Sequence, residues 1–200
     1  MKLGFWACAL ALAGALFLGA APVPKIQAML AKPDGLCGRF DQSKQLVGLK
    51  KPVTSNGRFC VLAGKGILWR SLQPFPTTVK LTRDQIIQIQ GERVTLRVDA
   101  EREPAVQMIH HVLFALFAGD LAPLEKLFLI EGDVRETRWS VTLKPREAGL
   151  GKVLGRIALE GGRFVTGITI TEAGGDVTRI VFSAIQTGEG AMTTDEAALF

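Results

Sequence analysis

A chain of 200 residues with 48% hydrophobic content is long enough for one domain with a sizeable core. Its formal net charge of +5 is modest, and Lys44, Lys50, Lys51, Arg58, Lys65, Arg70, Lys80 and Arg83 are scattered rather than interleaved with aromatics, which argues against a nucleic-acid partner. These cations read first as solvated strand faces and second as a weak attraction to anionic headgroups or an acidic partner.

The N-terminus comes first in the chain and stands apart. Met1-Lys2 precedes an apolar run from Gly4 to Ala21 that ends in Gly19-Ala20-Ala21. One early lysine, a short apolar core and small residues read as a signal peptide over residues 1–20, leaving a mature domain over 21–200. Cleavage is placed after Ala20, because a cut one residue later would set the ring of Pro22 beside the cleaved bond. The alternative is an uncleaved anchor, for which the run is short. Cys8 follows the bulky Phe5-Trp6 and precedes the apolar core, so it does not read as a lipid-anchor cysteine. An exported, soluble monomer is the expectation.

Ile26, Met29 and Leu30 share a face at helical spacing from Pro24 to Lys32, and Pro33-Asp34-Gly35 stops that helix. Alternation of apolar and polar residues then predicts strands over Gly38 to Lys44, Gly57 to Val61 and Gly66 to Trp69. The turn from Lys51 to Gly57 carries Pro52 and Asn56-Gly57. Further strands are expected from Thr77 to Leu81, Gln85 to Gln90 and Arg93 to Val98. Once the leader is gone, Cys37 and Cys60 remain. A register that pairs them also pairs Leu36 with Val61 and Gly38 with Phe59, so the apolar pattern and the cysteines agree. A Cys37–Cys60 disulfide is therefore expected in an oxidising compartment, the alternative being two free buried thiols.

From Glu103-Pro104 the period changes to helical, through Ala118 and a stop at Gly119. Val106, Ile109, Leu113, Leu116 and Phe117 form one stripe, and Val112, Phe114 and Ala115 make the C-terminal half apolar nearly all round. Such a helix between two blocks of strands suggests a lid in a concave sheet face; the bland alternative is a plain core helix. Asp120 is expected to cap a short helix to Lys126, with Pro123 in its first turn. Strands resume at Phe128 to Ile130, Trp139 to Leu143, Arg156 to Leu159, Phe164 to Thr171 and Val177 to Ile185, with Arg146 to Gly155 irregular. Thr193-x-x-Glu196 has the spacing of a capping box for a last turn ending in Leu199-Phe200.

Catalytic chemistry is not visible. His110 and His111 are adjacent, so on a helix they point about 100° apart and cannot jointly chelate a metal. No nucleophile elbow, phosphate loop or dinucleotide fingerprint occurs. No cofactor, metal site or catalytic residue is expected. Apolar surface remains.

Phe40-Asp41-Gln42, the glycine-marked alternating strand after it, and Trp69 with Pro74 five residues on resemble the outer-membrane lipoprotein carrier, or LolA-like, family. The resemblance spans most of the chain after the leader. It implies a mainly β fold of the α+β kind, an unclosed antiparallel half barrel with a helical lid over an apolar cavity that holds acyl chains. It implies acylated lipid or lipoprotein cargo, an inner-membrane donor and an outer-membrane acceptor. Leu30, ten residues before Phe40, matches a helical leucine that closes the family's cavity. The family's Arg-Pro, six residues before the Trp, is here Ala63-Gly64, so lid control by that arginine does not carry over. The departure marks a divergent branch, with a glycolipid, polyene or fatty-acyl cargo as alternatives to lipoproteins.

The expected lipid-facing set is Leu30, Phe40, Phe59, Val61, Trp69, Val79, Ile87, Ile89, Leu96, Leu113, Leu116, Phe117, Trp139, Val141, Leu143, Ile168, Ile170, Ile180 and Phe182. Each CH₂ buried there is worth ~0.8 kcal/mol, so a sixteen-carbon chain gains roughly 12 kcal/mol gross. The expected function is a periplasmic carrier that delivers acyl chains toward the outer membrane. A sensor or regulatory lipid-binding domain and an envelope protein with a fully packed core are the rival readings.

Overall fold

The computed structural model describes residues 23–99, 112–117, 120–152, 154–188 and 190–200. The strands are β1 (Gly35–Gln45), β2 (Val53–Leu62), β3 (Gly66–Gln73), β4 (Thr77–Leu81), β5 (Gln85–Gln90), β6 (Arg93–Asp99), β7 (Phe128–Arg135), β8 (Arg138–Pro145), β9 (Leu154–Gly161), β10 (Val165–Glu172) and β11 (Val177–Thr187). They form one 11-stranded sheet in the order β6-β5-β4-β3-β2-β1-β11-β10-β9-β8-β7, every neighbour antiparallel. The sheet does not close: β6 and β7 are its two edges, although they follow one another in the chain. The helices are α1 (Val23–Met29), α2 at residues 112–117, α3 (Leu124–Leu127), α4 (Ala148–Gly151) and α5 (Thr194–Ala198). The mainly β, unclosed architecture expected from the sequence is what the chain adopts.

The register between β1 and β2 pairs Leu36 with Val61, Cys37 with Cys60 and Gly38 with Phe59, and the two cysteines form a disulfide. Alternation then sends Leu36 and Phe40 to the concave face and the disulfide to the outer one. Two glycines make room for large rings on the concave side. A Cβ on Gly38 would stand 2.8 Å from the Phe59 ring, and one on Gly57 would stand 2.9 Å from the Phe40 ring. Phe40 therefore reaches across β2 and stacks on Trp69, with centroids 3.9 Å apart.

Expectation and structure part at several elements. The helix proposed from Asp120 to Lys126 is only α3, with Pro123 at its N-cap position. Asp120 instead accepts from Gln27 Nε2 at 2.7 Å and from the Ala122 N–H at 3.2 Å, which pins α1 to this connection. The first helix ends at Met29 rather than Lys32, and the irregular stretch after Arg146 contains α4. The expected helix from Glu103 to Ala118 is described only at residues 112–117; the leader and both histidines lie outside the described residues.

The main core occupies the concave face. It joins α1 (Val23, Ile26) and α2 (Val112, Ala115, Leu116) to both halves of the sheet. A second, smaller cluster sits on the outer face, where Met192, Leu199 and Phe200 cover Leu68 and the Cys37–Cys60 bridge. The C-terminal segment is held there by Glu196, which is 1% exposed. Its carboxylate accepts from Arg58 Nε at 2.7 Å and from the Thr193 N–H at 2.9 Å, while the Glu196 N–H donates to Thr193 Oγ1 at 3.2 Å. The expected capping box is thus formed, and its acid also binds a strand cation. Burial pushes the Glu196 carboxyl up, but the hydrogen bonds and charge of Arg58 and the Thr193 donors outweigh it. The group is held below its ordinary value of 4.5.

Two outcomes follow. Replacing both cysteines by serine should lower stability by about 3 kcal/mol, from the lost constraint on the unfolded chain, as read by urea titration. Because the Glu196 pKa is lowered by folding, its contribution is complete above the unfolded value and is lost as pH falls through the folded one. The wild type should therefore lose melting temperature more steeply than Glu196→Gln in acid below about pH 4.5. Parallel acid curves for the two proteins would contradict the clasp.

Candidate functional site

Antiparallel pairing puts directly opposed residues on one face. Along β3 and β4 this aligns Ile67 with Leu81 and Trp69 with Val79. Along β9 to β11 it aligns Ile180 with Ile168, Ile168 with Leu159, and Ile170 with Ile157. These two walls stand on either side of the central strands β1 and β2. Rings from the central strip fill the space between them: Phe59 lies 4.9 Å from Phe182 and 5.5 Å from Phe117, centroid to centroid.

The rings do not fill everything. A cavity of about 470 Å³ remains, bounded by Ile67, Trp69, Val79 and Leu81 on one wall and by Leu154, Ile157, Ile168, Ile170 and Ile180 on the other. Val112, Leu113 and Phe117 of α2 roof it. Its volume lies within the ~300–1,000 Å³ range of small-molecule sites. Trp69, Val79, Leu113, Ile170 and Ile180 are only half-buried, so apolar surface is left facing the space.

Two polar side chains, Gln42 and Glu172, join this apolar lining. Lys44 Nζ reaches the Glu172 carboxylate at 2.9 Å. Gln42 and Lys44 are near the end of β1, and Glu172 ends β10, so the polar groups gather at one end of the cavity. The arrangement can take an elongated apolar group with its polar terminus at that lip.

The expected lipid-facing residues divide into three groups. Trp69, Val79, Leu113, Phe117, Ile168, Ile170 and Ile180 line the cavity. Leu30, Phe40, Phe59, Val61, Leu116, Trp139, Val141, Leu143 and Phe182 are instead buried in the surrounding core. Leu116 does not line the cavity and instead borders a gap of about 10 Å³ with Leu30 and Leu36. Trp139 lies toward the β7 edge, and its Nε1–H donates to the Gly162 carbonyl at 2.8 Å.

Ile87 and Ile89 need correction. They pair with Lys80 and Thr78, which places them on the face opposite Val79 and Leu81. Ile86 pairs with Leu81 and packs on the core in their stead. Ile87-Gln88-Ile89-Gln90 alternates cleanly, but the pairing of β5 with β4 puts Ile86 and Gln88, not Ile87 and Ile89, on the concave face. Leu96 keeps the concave face through Gln88 but is 47% exposed on edge strand β6.

Gln42, Val112, Leu154, Ile157 and Glu172 are cavity residues that the sequence reading did not select. Ile157 sits in an alternating strand and could have been found; Gln42 and Glu172 are polar and carry no periodic signal. Ala63-Gly64 lies in the β2–β3 turn. Among the described residues the one group with metal-ligand types close together is Cys37, Cys60 and Glu196, and there both sulfurs are consumed by the disulfide.

A family model described as outer membrane lipoprotein carrier protein LolA-like matches residues 19–199. No curated protein matches the chain. Among solved structures, the MucA/MucB complex of Pseudomonas aeruginosa aligns with a TM-score of 0.51 at 15% identity, over 88% of this chain and 60% of that one. A LolA superfamily protein from Nitrosomonas europaea aligns with a TM-score of 0.47 at 7% identity, over 86% and 95% of the two chains. At 15% identity the likeness to the MucA/MucB structure is one of fold.

The different surroundings of Leu116 and Ile170 predict different costs of truncation. Leu116→Ala, in packed core, should cost about 2–5 kcal/mol, and Ile170→Ala, already open on one side, about 1 kcal/mol. Chemical denaturation measures both; equal losses would mean that the cavity wall is packed in solution.

Proposed function

We propose, from the premise that this chain belongs to the LolA-like family of outer membrane lipoprotein carrier proteins, that it carries acyl chains through the periplasm and releases them toward the outer membrane. The observation behind this reading is the apolar cavity under α2, with half-buried aliphatic walls and polar groups gathered at one end. An acyl chain entering there covers surface that the protein itself leaves bare. At ~0.8 kcal/mol per methylene the gain offsets the cost of immobilising a long flexible ligand.

Export is part of the proposal. The leader over residues 1–20 would deliver the chain to an oxidising compartment, and a Cys37–Cys60 disulfide fits that destination. Cargo is an acylated lipid or a lipoprotein, taken from an inner-membrane donor and passed to an outer-membrane acceptor. Gln42 and the Lys44–Glu172 pair would meet the polar end of the cargo.

Native mass spectrometry after gentle purification tests the reading. A co-purifying lipid supports a carrier. A lipid-free mass with a bound protein would favour a regulatory binding domain. In titration with a fluorescent fatty acid, Trp69 on the cavity wall should transfer excitation to the probe, and Trp69→Phe should remove most of that signal. Ile170→Asp should weaken probe binding at least about tenfold, with a small change in melting, since a charge at a half-open wall can stay hydrated. Leu116→Asp, buried beside Leu30 and Leu36, should collapse the melt instead. A wild type that never binds the probe would refute the carrier reading.

A further inference from the structure

The end of the sheet at which the cavity's polar lip lies also carries unusually exposed apolar side chains. The β1–β2 connection reads Leu46-Val47-Gly48-Leu49-Lys50-Lys51-Pro52, and Val47 is 68% and Leu49 50% exposed. The β3–β4 connection is Pro74-Phe75-Pro76, with Phe75 72% exposed and Leu72 just before it 51% exposed. β1 and β3 run toward this end and β2 and β4 leave it, on hairpins that adjoin through the pairing of Asn56 with Gln73. Large apolar groups concentrated at one end mark an interaction surface.

Several backbone groups around these tips are already hydrogen-bonded. The Val47 N–H donates to Asp176 Oδ1 at 2.8 Å, and the Leu49 N–H donates to the Leu46 carbonyl at 3.1 Å. Gln45 Nε2 donates to the carbonyls of Leu46 and Leu49, at 3.1 and 2.6 Å. Pro74 and Pro76 have no N–H to satisfy, and the Phe75 carbonyl accepts from Thr77 Oγ1 at 3.2 Å. Each backbone group already paired, and each proline that lacks an N–H, lowers the cost of entering an apolar boundary.

Charge decides the partner. Lys50 and Lys51 are exposed directly beside the apolar tips. Of the acids at this end, Asp176 is engaged by the Val47 N–H and Glu172 by Lys44, and exposed Glu147 in the β8–β9 connection directly follows Arg146. Glu92, in the β5–β6 turn, is followed at once by Arg93.

We infer that this end docks on an anionic lipid bilayer, with Val47, Leu49 and Phe75 entering the headgroup region and Lys50 and Lys51 meeting phosphates. The inference rests on the loops and not on the cavity's occupant. Docking this way turns the cavity's lip toward the bilayer.

Every described element begins at or after Val23, so the test uses the chain from Ala21, without the apolar leader. It is sedimented with vesicles of phosphatidylcholine alone or mixed with phosphatidylglycerol. The wild type should bind the mixed vesicles, and 0.5 M salt should weaken the binding. Lys50→Glu with Lys51→Glu, and separately Val47→Ser with Leu49→Ser and Phe75→Ser, should each reduce it more than about tenfold. Melting temperature and fatty-acid probe binding should stay at wild-type values in both variants, which establishes that they are folded. A wild type that ignores the mixed vesicles, equal binding to neutral ones, or variants that bind as well as the wild type would each overturn the inference. Vesicle binding without probe binding would refute only the carrier reading, and the reverse result only the docking.

Discussion

Two strands that are consecutive in the chain stand at opposite edges of the same open sheet. β1 to β6 and β7 to β11 are each a run of neighbouring antiparallel strands, and the two runs meet only where β1 pairs with β11. The chain between Asp99 and Phe128 must therefore join one free edge to the other. The part of that connection at residues 112–117 packs in the concave core. Its apolar character then follows, since the concave side offers Phe59 and Phe182 to Phe117. A closed barrel would have had no edges to join and no place for such a roof.

Side-chain size along the sheet explains why the core is not filled. Over the central strands the concave face carries Phe40, Phe59 and Phe182, whose rings touch one another, Trp69 or Phe117. The flanking walls carry mostly aliphatic residues such as Val79, Ile157, Ile168 and Ile170. Those side chains are too short to meet across a concave sheet. The result is a packed aromatic floor beside an open aliphatic trough. The first accounts for much of the stability and the second for the binding capacity.

The outer face has a different problem. Cys37, Cys60 and Leu68 form a small apolar spot there, and the C-terminal segment covers it. That segment is short, so hydrophobic cover alone would hold it weakly. The Glu196–Arg58 pair adds a directed attachment, and the Thr193–Glu196 capping box orders the turn from which the acid projects. One carboxylate thus serves both the helix and the docking.

Local periodicity was enough to read most strands, the β1–β2 register and the capping box, but not the start of β2, which begins at Val53 inside the turn expected from Lys51 to Gly57. Each depends on residues near in sequence, or on two coincident patterns such as Cys37 with Cys60 and Leu36 with Val61. The family pattern from Phe40 to Pro74 was also legible, and with it the open fold. Alternation could say which residues share a face on one strand, but failed on β5, where the apolar phase of Ile87 and Ile89 takes the outer face and Gln88 takes the concave one. Nor could it separate wall from floor: Ile170 and Phe182 look alike in a strand pattern, yet one borders the cavity and the other is packed. The sequence alone determined which residues must leave water. Which of them meet each other, and where a gap remains, was decided by sheet curvature, ring size and the path of the chain between the edges, because those couple residues far apart in sequence.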